Sequence, residues 1–301
     1  METREWPKRT IEWTEDNTAY LSVPFTWNLP EVYSRCVWYR QQGFQVRAGG
    51  PAVELMPNYL SGLADIGGEV DALSKHNPNA TFTSRGCIRN CQFCAVPKIE
   101  GELRELTHWE PKPIVCDNNL LACSLRHFDT VIDTLKHLTN VDFNQGLDAR
   151  LLKQHHIDRL RELHLHCVRL AWDNVHLEST IMNAINRLLA AGLAKSKIRV
   201  YVLVGFDDTQ DDALYRCQTL KDRGILPNPQ RYQPLDTLRK DSYVGLGWSA
   251  RLLTDFIRYW SRQKWLRPIP FAEYNTGKRL KVSPGKNKIN SKLLSEVRYD
   301  L

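Results

Sequence analysis

The chain has 301 residues, 42% of them apolar and 25% charged, with a formal net charge of +7. That balance excludes extensive disorder and collagen-like or coiled-coil chains, and no apolar run reaches the roughly 18 residues of a membrane span. Residues 1–79 are net acidic, whereas 80–271 and 272–301 are net basic, which reads as a basic soluble surface or an attraction for phosphate-rich partners.

The first twenty residues mix both signs of charge and hold no apolar stretch, which reads against a secretory signal. In residues 1–79 a strand is predicted over Ala19–Thr26. A helix follows over Pro30–Gln42, stopped by Gly43, and then a strand over Phe44–Ala48 that runs into Gly49-Gly50-Pro51. This is a small βαβ unit, too short for a complete doubly wound domain.

From residue 80 onward, strand and helix patterns alternate. Strands are predicted at Ala80–Ser84, Ile114–Asp117, Val141–Asn144, Cys167–Trp172, Ile198–Gly205 and Gln230–Leu235. Helices are predicted near Arg126–Thr139, Ala149–Leu163, Thr180–Ala191, Gln210–Asp222 and Trp248–Gln263. Ile181, Ile185, Leu188 and Leu189 make one apolar helical stripe. Thr209 with Asp212 reads as an N-terminal capping pair, and Gly192 and Gly224 sit where helices end. Such alternation implies parallel strands joined by crossovers. Six units are fewer than the eight of a full barrel, so the expected fold is α/β: a partial (βα)6 TIM-like barrel over 80–271. Chemistry in such a fold belongs at the carboxyl ends of the strands. Residues 272–301 read as a basic, poorly ordered tail whose Lys278, Arg279, Lys281, Lys286 and Lys288 suit phosphate.

The cysteines are at 36, 87, 91, 94, 116, 123, 167 and 217. Without a dense disulfide pattern they point to a reducing, cytoplasmic setting. Cys87, Cys91 and Cys94 crowd together as Cys-x3-Cys-x2-Cys. Thiolates spaced this closely suit an iron–sulfur cube or a zinc ion. Zinc needs a fourth ligand, for which His108 is the nearest downstream candidate. A [4Fe–4S] cluster instead leaves one iron free for a small molecule. Cys116 and Cys123 read as inert buried thiols. His155 and His156 are adjacent on a predicted helix and point to different faces. His164-x-His166-Cys167 offers metal-type side chains, but at the start of a strand, and reads as packing.

The three-cysteine spacing resembles the radical S-adenosylmethionine (SAM) superfamily. Its place after the first strand of a (βα)6 pattern and the aromatic Phe93 before the third cysteine extend the likeness. The resemblance implies that Cys87, Cys91 and Cys94 hold a [4Fe–4S] cluster whose fourth iron SAM completes. It also implies reductive cleavage of SAM to a 5′-deoxyadenosyl radical that abstracts hydrogen from a substrate, fed by a donor such as flavodoxin or ferredoxin. By the same resemblance, Asp117, Asn118 and Asn119 after strand two meet the SAM amino group, though the common Gly-Gly-Glu is absent. Asn144 and Gln145, in a segment resembling the cobalamin-associated subgroup, border the cavity. Asp148 reads as a cap for the next helix. Asp173 after strand four takes the ribose, with Asp in place of the usual Glu. Gly205 after strand five lets backbone approach the adenine, although Asp207 replaces a glycine of that turn.

The stretch from Tyr39 to Pro51, followed by Asp65-Ile-Gly-Gly-Glu69, resembles the latter half of a cobalamin-binding domain. Its Asp-x-His-x-x-Gly motif is missing, so the unit reads as truncated and bound cobalamin is not expected. Cys36 stands alone, without the cysteine trio that methylthio transfer uses. Three functions compete: hydrogen abstraction from a small molecule, modification of a nucleobase with nucleic acid held by the tail, and non-catalytic zinc or iron–sulfur binding.

Overall fold

A computed structural model describes residues 6, 9–67, 70–262 and 269–274. Glu69, Gln263 and the basic segment from 275 onward, including Lys278, Arg279, Lys281, Lys286 and Lys288, lie outside the described residues. No helix among the described residues is long and apolar enough to cross a membrane.

The chain begins with an antiparallel pair, β1 (Ile11–Glu15) and β2 (Thr18–Ser22). Asp16 and Asn17 join them with φ of 44° and 60°, the two positive values of a tight primed turn. Helix α1 (Leu29–Gln41) then leads to β3 (Gln45–Gly49), parallel to β2, and short helix α2 (Pro51–Leu55) leads to β4 (Asp65–Ile66), parallel to β3. Leu29, Val32, Cys36 and Tyr39, spaced three or four apart, turn one face of α1 onto this four-stranded sheet. The expected βαβ unit is therefore present but enlarged by β1 and β4. The overlooked signal was the Asp16-Asn17 turn between two β-rich runs.

Helix α3 (Ala72–His76) precedes β5 (Ala80–Thr81). A second antiparallel pair, β6 (Ser84–Arg85) with β7 (Arg104–Glu105), brackets the cysteine segment and its helix α4 (Val96–Ile99). Then strands and helices alternate: β8 (Ile114–Val115), α5 (Leu125–Leu135), β9 (Thr139–Phe143), α6 (Gln154–Leu160), β10 (His164–Ala171), α7 (Glu178–Ala190), β11 (Ile198–Val204), α8 (Gln210–Asp222), β12 (Leu226–Arg231) and α9 (Ala250–Ser261). The second sheet has the order β12-β11-β10-β9-β8-β5, with every pairing parallel. Each strand lies beside its predecessor, so the winding never reverses and all carboxyl ends share one edge. The first and last strands do not pair, and no barrel closes among the described residues.

Ile198, Val200, Val202 and Val204 alternate along β11 into a core shared with the helices. Arg199, Tyr201 and Leu203 face the opposite side and are partly exposed. One sheet face is thus apolar and covered by helices, while the other carries polar groups.

Several boundaries differ from the sequence reading, β10 for one starting at His164 rather than Cys167, and two of them bear on the fold. The last strand is Leu226–Arg231, not Gln230–Leu235. Prolines 227 and 229 argue against a central strand but not against an edge. Tyr232 donates its N–H to Val204 O, so even-numbered residues of β12 bond to β11 and the two proline nitrogens face the open edge. No further strand can pair there without losing those hydrogen bonds. Helix α6 starts at Gln154 with Lys153 as its cap, five residues later than expected, so Asp148 caps only a local turn, accepting from Arg150 N–H, and not the helix. The Thr209–Asp212 capping box on α8 is present.

Phe128, fully buried on α5 at the centre of this core, is expected to be irreplaceable by a small residue. Phe128→Ala should lower unfolding free energy by roughly 3–5 kcal/mol in a denaturant titration, with the midpoint moving and the slope unchanged.

Candidate metal and cofactor site

The cysteine loop is built from its base. Gly86 has φ of 77°, and a side chain on it would sit 2.0 Å from the Glu102 carbonyl oxygen, so only glycine fits. Cys87 N–H donates to Gly101 O and Leu106 N–H to Thr83 O, closing the loop across β6 and β7. Glu100 accepts from Gly86 N–H at 2.8 Å and from Asn118 Nδ2 at 2.7 Å, and pairs with Arg85. It therefore ties the loop to the end of β8.

Above the carboxyl edge of the sheet, one cleft is lined by Cys87, Cys91, Cys94 and Phe93 from the loop. Asn118 and Asn119 after β8, Gln145 after β9 and Asp173 after β10 complete the set named from sequence. Three other residues named there do not line it. Asp117 is 4% exposed and accepts from Thr83 N–H, Thr83 Oγ1 and Ser84 Oγ, so its carboxylate supports the loop entrance. Asn144 bonds through its backbone to Val115 O and to the Tyr201 hydroxyl. Gly205 faces the loop after β12: its carbonyl oxygen lies 2.6 Å from where a Gly245 side chain would start, and its N–H donates to Asp208.

Sequence reasoning missed the charged centre of the cleft. Asp148 accepts from Arg89 Nε at 3.1 Å and Arg150 Nε at 2.7 Å, and Asn119 Nδ2 lies 3.5 Å from it. Burial pushes the Asp148 pKa up, but the Arg150 hydrogen bond and the charges of Arg150 and Arg89 outweigh it and hold the group below the usual range. Asp173 behaves oppositely: burial raises it, and Arg150 and Arg216 only partly offset that. A pair of arginines, each two residues from a site residue at Cys87 and Asp148, was the available clue.

Two donors approach Cys87 Sγ, Arg89 N–H at 3.3 Å and Asn119 Nδ2 at 3.6 Å. Burial raises the Cys91 and Cys94 thiols, with Arg150 opposing it at Cys91 and the Val96 N–H at Cys94. Cys116 and Cys123 are buried and pushed up by that burial to about 12 and about 11, as expected of inert thiols. His155 bonds to Asp129, and His156 is buried and accepts from Lys153 N–H, so the two act apart.

Cys87, Cys91 and Cys94 bring three soft donors to one cleft. His108 is exposed and does not line the cleft. Three thiols in one cleft are the donor type of an iron–sulfur cube or of a zinc ion. Asn119 Oδ1 is buried and lacks a partner among the described residues, an acceptor available to an ammonium or hydroxyl.

Gly86→Ala should force the loop base open. The chain is expected to fold, by circular dichroism, yet to retain under about a tenth of the wild-type iron after anaerobic reconstitution, as a strained position costing roughly 1–3 kcal/mol predicts.

No protein-family model matches the chain, and no curated protein matches its sequence.

Proposed function

We propose that the protein is a radical SAM enzyme, holding a [4Fe–4S] cluster on Cys87, Cys91 and Cys94, in an open, partial (βα)6 barrel. The observation that carries this reading is the convergence of all three loop cysteines with the polar strand ends in one cleft. Its setting is a reducing, cytoplasmic one with an external electron donor of the flavodoxin or ferredoxin type.

Loaded with cluster and SAM, the site supplies reductive cleavage of the SAM sulfonium and abstraction of hydrogen from a substrate. The chain's own residues bind and orient. Asn119 would offer Oδ1 to the N–H of the methionine amine while its Nδ2 stays on Cys87 Sγ. Arg150, already beside Asp148, leaves donors for the methionine carboxylate. Asp173 suits vicinal ribose hydroxyls, because one carboxylate accepts both. Phe93 meets Phe206 edge to face at 5.5 Å, an apolar wall that keeps water from one side of the cleft.

The N-terminal unit touches the rest of the chain at two places. Helix α2 of the N-terminal sheet packs on α4 of the cysteine loop. Thr26 Oγ1 donates to Thr237 O beyond β12 at 2.6 Å. On this reading the N-terminal unit is a cap on the barrel, and the substrate is a small molecule or a nucleobase.

The test is anaerobic. Reconstituted protein with SAM and a strong reductant is expected to form 5′-deoxyadenosine, and a Cys87→Ala/Cys91→Ala/Cys94→Ala variant none. Asn119→Ala should retain iron but weaken SAM binding by about tenfold or more, the worth of one charge-assisted hydrogen bond. Iron that never assembles in the wild type, with zinc held instead, would remove the enzyme reading.

A further inference from the structure

A second group of metal-type side chains lies on the polar face of the six-stranded sheet, outside the cysteine cleft. Asp142 on β9 and His166 and Cys167 on β10 bring a carboxylate oxygen, an imidazole nitrogen and a thiol sulfur within 4.8 Å of one another. Strand alternation alone would separate His166 and Cys167 onto opposite faces. The register explains why it does not. Val141 pairs with Leu165, and the next residue, Asp142, pairs with Cys167. Strand β10 therefore uses two residues where β9 uses one, a β-bulge that re-aims a side chain.

The surroundings suit an ion. Asp142 and Cys167 are 5% and 1% exposed, whereas His166 is partly exposed and leaves a way in. Arg169 donates to both Asp142 oxygens and fixes the carboxylate as outer partners of metal ligands do. Cys167 Sγ lies 3.9 Å from Asp142 Oδ1, toward which its proton is shared. A divalent ion would displace that proton, and with thiolate, carboxylate and the Arg169 guanidinium counted the site would carry one net positive charge, open to a solvent anion or hydroxide. A mixed sulfur, nitrogen and oxygen set is wrong for magnesium or calcium and right for zinc and its neighbours.

We propose that Asp142, His166 and Cys167 form a divalent transition-metal site of the zinc class, joining β9 to β10 with one coordination position open to solvent. Bonds of about 2.0–2.3 Å require the ligand atoms to close by about 1 Å, which the bulge can accommodate. The site stands apart from the radical SAM reading, since none of its residues belongs to the cysteine loop.

The experiment uses the full chain carrying Cys87→Ala, Cys91→Ala and Cys94→Ala, which removes loop thiols as competitors. Cobalt(II) is the probe, because thiolate ligation gives it a charge-transfer absorption. The expected result is one cobalt per chain with that band, displaced by zinc and weakened as pH falls and the thiol regains its proton. Adding Cys167→Ser or His166→Ala should weaken binding by at least about 100-fold. Circular dichroism checks the fold of each, and partly exposed His166 provides the reading if Cys167→Ser is unfolded. Absence of a thiolate band in the parent, or a band that survives His166→Ala at unchanged affinity, overturns the proposal. Either result leaves the 5′-deoxyadenosine assay of the wild type untouched.

Discussion

A buried carboxylate is tolerated only when hydrogen bonds replace the water it has lost, and Asp117 meets that condition in one way. Its oxygens accept from the backbone and hydroxyl of Thr83 and from the hydroxyl of Ser84. Thr83 and Ser84 lead into the cysteine loop, and Asp117 follows β8. The first two strands are thus locked at their carboxyl ends, and Asn118 and Asn119 are delivered to the cleft as a consequence. Glu100 repeats the device on the far side of the loop, holding Gly86 and Asn118 together. The cleft is organised by two acidic residues, neither of which needs to touch a ligand.

A similar arrangement holds the other end of the cleft. Arg216 on α8 is fully buried, donating to Trp172 O and to Asp208, which in turn accepts from Gly205 N–H. Trp172 precedes Asp173, so one guanidinium links the ends of β10 and β11 and biases the charge on Asp173. Removing a single member of such a buried pair leaves an uncompensated charge, which is far costlier than the pair is stabilising. The sheet's polar face, with Asp142 held by Arg169, obeys the same rule. Among the described residues, Asp117, Asp142, Asp148 and Asp208 are each held by donors, and they gather toward one edge and one face of the parallel sheet.

Most of the βα alternation was legible in the sequence because local signals agreed with tertiary demand. Helix α8 begins and ends where Thr209, Asp212 and Gly224 place it, and β11 starts at the β-branched run from Ile198. The failures have physical causes. Pro227 and Pro229 look like strand breakers until their nitrogens are seen to face an open edge. The Asp16-Asn17 hairpin was hidden by reading a single strand where two pair. Asp148 resembled a cap because Asp caps helices, yet two arginines distant in sequence from one another claimed it.

The sequence by itself determined the three-cysteine loop, the order of strands and helices, and the polar residues at their ends, since these rest on spacing and on short-range chemistry. Only the tertiary structure decided which of those residues share a cleft. Asp117 turned to the hydroxyls of Thr83 and Ser84 and Asn119 to the cleft, though they are two apart and both buried, because a strand end must satisfy its neighbour's hydroxyls before it can face a ligand. It alone decided, too, that His166 and Cys167 turn the same way, since a bulge is a property of two paired strands and neither strand encodes it alone.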